Sequence, residues 1–342
     1  MANEMQEDLD RCPVADSAAI VDRVPVIDVS TVVTDPTSTA AGDAVQQIAE
    51  ACREWGFFQV VHHGVSEQLI DATWRETRAF FAQPARVKHA IMRTRENPWG
   101  FYNNELTKNQ RDKKEVFDYT TDGTDPIYSA ENRWPDVGPT FRETLCRYRD
   151  AVTELGLALL DAFCVGLHLP ADFMRADFEH DHTGFIRLNY YPVKDPLEQS
   201  TVDHLPVADL GVHHHSDAGA LTVVLQDDIG GLQVFKDGYW HDIRPQRGAF
   251  VINTGDMMQV WSNDIYRAPV HRVLAMDARD RCSIPFFFNP TADTEVSPLP
   301  SVVTDERPAR YRTISWAEFR SKRTDGDYAD YGPEVQIAHY RI

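Results

Sequence analysis

Cysteine is scarce in this sequence and shows no pattern. The five cysteines are an odd number, are widely spaced and include no Cys-x-x-Cys pair: Cys12, Cys52, Cys146, Cys164 and Cys282. Neither a disulfide framework nor a thiolate zinc site is indicated. We therefore expect free thiols and a reducing compartment, the cytoplasm.

Positive charge and long apolar runs are also lacking. The 34 Lys and Arg residues face 53 Asp and Glu residues, which gives a net charge of −19, and no basic run interrupts this excess. Phosphate backbones and anionic membrane surfaces repel such a chain, so neither nucleic acid nor a membrane is an expected partner. Residues 1–22 lack the apolar core of a signal peptide, and no run elsewhere is long enough to span a bilayer.

The length of 342 residues suits one structural unit with helical additions around a single barrel. We expect a flexible N-terminal segment at 1–22 and a helical and strand region at 23–180 that packs on the barrel. The barrel core itself is predicted at 181–295, and a C-terminal extension at 296–342.

The first half of the chain has mainly helical periodicity. Strands are predicted at 24–29 and 57–61, with an irregular segment at 92–136 that borders a pocket. Apolar residues at helical spacing predict a helix at 43–55, which Gly56 would end, and a second helix that Ser66 caps and Pro84 stops. The same spacing predicts a long helix at 141–167.

The second half changes to short strands separated by turn residues. They are predicted at 185–191, 221–226, 232–235, 239–243, 249–253, 257–261, 268–276 and 282–288. A short helix is predicted at 316–323. Close strand spacing without intervening helices indicates a mainly β fold with helical additions, an antiparallel barrel or double-sheet jelly roll.

A candidate metal site lies in this β region. His215 and Asp217 are two residues apart at the end of a predicted strand, which places them on one face, and His271 follows on a distant strand. Two imidazoles and one carboxylate leave open coordination positions, as in non-haem Fe(II) oxygenases. His213 and His214 are rivals of His215 for the first ligand position.

A candidate anion receptor lies on the last strand. Arg281 and Ser283 alternate, so they share a face, and a guanidinium with a hydroxyl suits a buried carboxylate. Asn189 and Tyr191 form a second alternating pair of polar groups. Taken singly, each of these residues is more often structural or solvated, so a non-catalytic metal-binding barrel is the alternative from another class.

The ordered set of motifs resembles the 2-oxoglutarate and Fe(II)-dependent dioxygenases of the isopenicillin N synthase-like superfamily over nearly the whole chain. The matching segments are VPVID at 24–28, WGFFQV at 55–60, HGV at 63–65, RLNYYP at 187–192, HSDAGALT at 215–222, GGLQV at 230–234, NTGD at 253–256, HRV at 271–273 and RCS at 281–283. Two positions depart from the family pattern: His62 replaces an Asn and Ser216 replaces a Thr, and neither is a ligand position.

The resemblance implies a double-stranded β-helix core of the cupin-like jelly-roll type. It selects His215, with Asp217 and His271, as the ligands of Fe(II). It implies that Arg281 and Ser283 bind the distal carboxylate of the cosubstrate 2-oxoglutarate, with Asn189 and Tyr191 near the cosubstrate and metal.

The implied reaction uses O₂, releases succinate and CO₂, and hydroxylates, desaturates or cyclises a small organic molecule. Because Asp217 fills the third ligand position, the resemblance disfavours halogenation. Residues 284–289 resemble the corresponding segment of isopenicillin N synthase- or ACC oxidase-like oxidative cyclases, which use Fe(II) and O₂ without 2-oxoglutarate. An oxidative cyclase is therefore the alternative function within the superfamily.

The substrate is expected to be a secondary-metabolite-like small molecule, selected by the irregular segment at 92–119. Candidate pocket walls are aromatic: Trp99, Phe101, Tyr102, Phe117, Phe287 and Phe288. Among these, Phe101, Tyr102, Phe117 and Phe287 are our candidate substrate contacts. We expect a monomer, with a homodimer as the alternative.

Overall fold

The computed structural model describes Leu9, residues 12–15, 24–107, 110–195, Leu197, residues 210–325 and 335–342. Most of the segment predicted to be flexible, 1–22, lies outside the described residues. In the described part of the chain, no helix is both long and apolar enough to cross a membrane.

The described elements alternate between helices and strands in the first half and are mostly strands in the second. The strands are β1 (Val26–Asp28), β2 (Phe57–Val61), β3 (Gly100–Tyr102), β4 (Leu106–Thr107), β5 (Gln110–Arg111), β6 (Glu115–Thr120), β7 (Phe185–Tyr191), β8 (Leu210–His215), β9 (Leu221–Gln226), β10 (Leu232–Lys236), β11 (Tyr239–Asp242), β12 (Phe250–Thr254), β13 (His271–Leu274), β14 (Arg281–Phe288), β15 (Glu295–Val296) and β16 (Ile314–Ser315). The helices are α1 (Gly42–Glu54), α2 (Glu67–Phe81), α3 (Ala85–His89), α4 (Pro139–Gly166), α5 (Asp256–Trp261) and α6 (Trp316–Asp325), with 3-10 turns at Thr39–Ala41, Ala171–Asp177, Pro300–Val302 and Ile337–Tyr340.

Two sheets form the centre of the molecule. The large sheet has the strand order β1-β2-β12-β9-β14-β7-β6-β3, and the small sheet has the order β11-β10-β13-β8. Apolar residues from both sheets form one cluster between them, among them Phe57 and Val251 from the large sheet and Val212, Val234 and Val273 from the small one. The predicted double-sheet jelly roll is confirmed.

The helices cover the outer face of the large sheet. The 28-residue helix α4 packs against α1, α2, β9 and β14. Gly156 lets α4 approach closely, because a Cβ at this position would lie 2.9 Å from Cδ1 of Phe288. The apolar residues whose spacing predicted a helix at 141–167 therefore form the face of α4 that packs on the sheet.

Local signals located the first helices well. Ser66 caps α2, since its hydroxyl accepts a hydrogen bond from the Leu69 N–H at 3.3 Å. Gly56 follows α1 with φ of +64°, the left-handed conformation expected of a glycine that ends a helix.

The strand predicted at 257–261 is wrong, because these residues belong to α5. Nearly all of this short apolar segment is buried, and a buried strand cannot be distinguished from a buried helical turn by periodicity over so few residues. The backbone N–H groups of Asp256 and Met257 at the start of α5 donate to carbonyls of the loop that follows β8. The difference matters, because that loop carries part of the site described below.

His182, just before β7, should make stability depend on pH. Burial and, secondarily, the charge of Arg149 lower the pKa of His182 from 6.5 to about 4, and its Nδ1 accepts the Gly184 N–H at 3.1 Å. Because the folded pKa lies below the unfolded value, the neutral ring contributes stability above about pH 6.5, and this contribution disappears as the pH falls towards 4. The shift corresponds to roughly 3 kcal/mol at most.

We expect His182→Gln to flatten the decline in unfolding free energy between pH 6.5 and 4, measured by chemical denaturation of the metal-free protein. His180→Gln, at an exposed position two residues away, is the control and should keep the wild-type slope. Equal slopes in the two variants would contradict this role of His182.

Candidate metal centre and adjoining cavity

Three metal-ligating side chains converge where β8 meets β13. His215 ends β8, His271 begins β13, and the two residues are paired in the sheet register. Asp217 completes the group, and one ligand atom from each of the three side chains lies within 4.8 Å of the others. Each imidazole Nε2 lies 3.6 Å from Oδ1 of Asp217. Both nitrogens and this oxygen therefore face a common point.

The far side of each imidazole is held by a backbone carbonyl. His215 Nδ1 lies 2.7 Å from the carbonyl oxygen of His213, and His271 Nδ1 lies 3.2 Å from that of Pro269. If Nδ1–H donates to these carbonyls, the proton of the neutral ring is on Nδ1 and Nε2 carries a lone pair. This is the tautomer in which Nε2 can bind a metal. Burial and the neighbouring His215 lower the pKa of His271 to about 4, which also favours the neutral ring. Two lone pairs and a carboxylate oxygen fit a divalent cation.

Asp217 does not lie on the strand as predicted, since β8 ends at His215. Its position is set instead by side chains from the facing sheet. Thr222 Oγ1 donates to Oδ2 of Asp217 at 2.5 Å, and Asn253 Nδ2 donates to the same oxygen at 2.8 Å. One carboxylate oxygen is thus held by the protein while the other faces the two imidazoles.

The backbone of the Asp217 loop is fixed by the start of α5. The Asp256 N–H donates to the Asp217 carbonyl at 2.7 Å, and the Met257 N–H donates to the Gly219 carbonyl at 3.0 Å. Gly255 is required here, because a Cβ would lie 2.2 Å from the Gly219 oxygen. The sequence interpretation gave these residues no role, although NTGD at 253–256 was one of the motifs that carried the resemblance.

The two rival histidines do not join the cluster. His213 contributes its backbone carbonyl to His215, as described above. The His214 ring lies 6.3 Å from the ring of Trp240. The group of metal-ligating side chains found among the described residues contains His215 and neither neighbour.

Arg281 and Ser283 lie together on the inner face of β14, as predicted. Arg281 is only 1% exposed, donates to Ser283 Oγ at 3.2 Å and lies over the Tyr191 ring at 5.0 Å. Within the described residues Arg281 forms no ion pair, and its Nε has no hydrogen-bond partner, as is also true of Oδ1 of Asn189. A buried guanidinium without a counterion is costly. The residues present therefore fit a carboxylate ligand.

One cavity connects the metal ligands to this receptor. Its lining includes every predicted metal and cosubstrate residue, together with walls from both sheets: Phe57, Lys114, Arg187, Asn189, Tyr191, Val212, His215, Asp217, Thr222, Val224, Leu232, Asn253, His271, Val273, Arg281, Ser283, Pro285 and Phe287. The structure thus brings these groups into one continuous space.

Among the predicted substrate contacts, only Phe287 lines this cavity. Phe101 and Phe117 are fully buried in the core beneath the helices, where both pack on Phe80. Strand alternation is the reason, because Val116 and Asp118 on β6 face the barrel and Phe117 faces away. Tyr102 lies 4.6 Å from the Arg93 guanidinium instead of lining the cavity.

The other aromatic wall candidates also lie elsewhere. Phe288 faces the helices and packs on Phe178, with ring centroids 5.0 Å apart. Trp99 packs on Phe185, behind Phe287.

A buried ionic cluster that the sequence did not reveal forms one wall. Arg187 donates to both oxygens of Asp118 at 2.7 and 2.8 Å and to Glu105 at 2.9 Å. Arg93 donates to the same two carboxylates at 2.6 Å, and Lys114 Nζ lies 2.5 Å from Glu105. Burial alone would raise the pKa of Glu105, but the three cations hold it well below its usual range. Lys114 and Arg187 therefore line the cavity with their charges already balanced by buried carboxylates.

Two family models match the chain. The model of the 2OG-Fe(II) oxygenase superfamily matches residues 182–290, and the model described as non-haem dioxygenase in morphine synthesis N-terminal matches residues 24–137. Among curated relatives, the protein DMR6-LIKE OXYGENASE 2 of Arabidopsis thaliana is 35% identical over 312 residues, which cover 89% of this chain and 84% of that protein.

Solved structures are similar over most of the chain. JOX2 in complex with 2OG, Fe and JA has a TM-score of 0.74 at 31% identity, and the match covers 91% of this chain and 88% of that one. The dioxygenase for auxin oxidation in rice has a TM-score of 0.71 at 25% identity, and the match covers 94% of this chain and 100% of that one.

The support of Asp217 can be tested without turnover. Thr222→Val removes one of the two donors to Oδ2, so we expect metal affinity to fall by about 10- to 100-fold. Anaerobic calorimetric titration with Fe(II) or Mn(II) measures this change. Thr73→Val is the matched control, because it removes a buried hydroxyl bonded to the Leu69 carbonyl in α2 and should leave metal affinity unchanged. Equal metal affinities in the two variants would contradict a role of Thr222 in supporting Asp217.

Proposed function

Because the chain belongs to the 2OG-Fe(II) oxygenase superfamily and is a 2-oxoglutarate- and Fe(II)-dependent dioxygenase, we propose that His215, Asp217 and His271 hold its iron. We propose that Arg281 and Ser283 bind the distal carboxylate of 2-oxoglutarate. The observation that carries this assignment is one cavity that joins three converging ligand atoms to a buried guanidinium, which forms no ion pair in the described part of the chain.

When bound, the iron would allow O₂, the oxidant, to take two electrons from 2-oxoglutarate, which becomes succinate and CO₂, and two from the substrate. The protein's own contribution is orientation and exclusion of water. The Nδ1 tethers fix both imidazole planes, and Thr222 and Asn253 fix the carboxylate. Asn189 and Tyr191 line the cavity beside the receptor, where they would border the cosubstrate.

The substrate is proposed to be a small, secondary-metabolite-like organic molecule with apolar surface, which is hydroxylated, desaturated or cyclised. Support comes from the apolar cavity walls contributed by Phe57, Val212, Leu232, Val273 and Phe287. Mass-spectrometric screening of candidate metabolites for oxidised products tests this class. Oxidation confined to peptides or polymers would exclude it.

We propose that the protein acts in the cytoplasm as a monomer, with a homodimer as the alternative. The described cysteines are all free thiols, which suits a reducing compartment. Light scattering of the purified protein decides the oligomeric state, and fractionation of the producing cells decides the location.

Replacing the carboxylate ligand should abolish coupled turnover. In Asp217→Ala, one of three metal ligands is lost, so we expect succinate formation to fall at least 100-fold. Asp228→Ala, which changes a carboxylate that is 78% exposed, is the control. Wild-type-like succinate release by the Asp217→Ala variant would show that the ligand set is wrong.

The same assay separates this function from that of an oxidative cyclase. Substrate oxidation that needs no 2-oxoglutarate and yields no stoichiometric succinate would indicate that Arg281 and Ser283 bind a substrate carboxylate instead.

Arg281 should bind the cosubstrate and, in the ligand-free protein, should lower the stability of the fold. Arg281→Met removes a buried charge that forms no ion pair within the described residues, so we expect unchanged or higher thermal stability of the ligand-free protein. Loss of the carboxylate partner should weaken 2-oxoglutarate binding about 30-fold or more. Anaerobic titration and a thermal melt measure the two effects, with the exposed Arg279→Met as control. A large loss of stability with unchanged affinity would contradict this assignment.

A further inference from the structure

The receptor on β14 has an amide neighbour on each side. The sheet register pairs Ser283 with Asn189 on β7 and with Gln226 on β9. Residues directly opposite in antiparallel strands have Cβ atoms about 5 Å apart, within reach of a glutamine side chain. Ser283 therefore lies between two amides, only one of which was a predicted site residue.

Gln226 faces the interior of the barrel. Thr222 and Val224 on β9 line the cavity, and Gln226 follows two residues later on the same face. Leu225 faces the opposite way and belongs to the core beneath the helices. The Gln226 side chain thus points to the side of the sheet that carries Arg281 and Ser283.

The Gln226 amide has unused hydrogen-bonding capacity. The residue is partly buried, and both its Nε2 and its Oε1 are shielded from solvent with no hydrogen-bond partner among the residues that the structure describes. Arg281 Nε and Asn189 Oδ1 share this property, so four of the buried polar atoms without partners lie together on three adjacent strands. Buried polar atoms are seldom left unpaired, because the lost hydration is not replaced. The cluster indicates a group that arrives from outside the chain.

The chemistry of these atoms selects the group. A carboxylate accepts hydrogen bonds from a guanidinium, from a hydroxyl and from an amide N–H, which are the donors that Arg281, Ser283 and Gln226 offer. The amide adds a donor without adding charge, so one guanidinium still balances one carboxylate. Oε1 of the same amide then remains to accept from the guanidinium.

We propose that Gln226 binds the distal carboxylate of 2-oxoglutarate together with Arg281 and Ser283. This inference rests on the proposed function of Arg281 and Ser283. Because no hydrogen bond holds the amide in its present position, it turns towards the carboxylate at little cost. Asn189, on the other side of Ser283, donates weakly to Ser283 Oγ at 3.5 Å and orients that hydroxyl.

The test compares ligands with and without a distal carboxylate. The probes are 2-oxoglutarate, its analogue N-oxalylglycine, and oxalate, which has no distal group, each titrated anaerobically into the Mn(II)-loaded protein. In Gln226→Met, which is close in size to glutamine, we expect affinity for the first two probes to fall about 10-fold. Affinity for oxalate should not change.

Gln226→Glu is the second variant, and its negative charge should weaken both carboxylate probes further. Gln59→Met is the control, because Gln59 is a buried glutamine in the same sheet whose Oε1 also lacks a partner, but it lies on β2. It should bind all probes as the wild type does. The thermal midpoint of ligand-free Gln226→Met should be unchanged or higher.

Equal weakening for all three probes, or unchanged affinity for 2-oxoglutarate in Gln226→Met, overturns the role of Gln226. A variant that loses stability but keeps its affinity likewise shows a purely structural residue. If the wild-type protein itself does not bind 2-oxoglutarate, the proposed function fails, and this outcome is distinct from a failure at Gln226.

Discussion

Successive side chains of the eight-stranded sheet point to opposite faces, and the two faces meet different surroundings. On β14 the outer residues Ile284, Phe286 and Phe288 pack under the helices, while Arg281 and Ser283 face the barrel. The outer residues anchor the strand by apolar burial over its whole length. Because that anchor is so extensive, the inner face can hold polar atoms, such as Arg281 Nε, that have no hydrogen-bond partner among the described residues.

The cationic side chains that line the cavity differ in whether a carboxylate pairs with them. Arg187 is paired with Glu105 and Asp118, and Lys114 is paired with Glu105 and Asp112. Arg281 has no such carboxylate within the described residues and therefore retains an unsatisfied charge. The difference concentrates the attraction for an anion at Arg281. A ligand with a carboxylate at one end is thereby oriented before any chemistry begins.

Sequence periodicity predicted most elements, because it depends on local spacing, whereas the choice of His215 over His213 and His214 came from the resemblance to the family. It failed where long-range contacts decide the outcome. The apolar run at 257–261 fits a strand or a helix equally well, and the carbonyls of the Asp217 loop favour the helix. Likewise, nothing near Phe117 in the sequence indicates which face of β6 meets the barrel, and the pairing with β7 determines it.

The ionic cluster also escaped prediction, because Arg93, Glu105 and Arg187 are far apart in the chain and meet only after the sheet forms. With Asp112, which lies 2.9 Å from Lys114, the cluster balances three cations with three carboxylates, so replacing one member by a neutral residue leaves a buried charge uncompensated. Paired substitutions that keep this charge balance should therefore be tolerated better than single neutral ones. Uncharged lining positions such as Phe287 carry no such charge constraint, so the shape of the cavity can change there without disturbing the ionic wall.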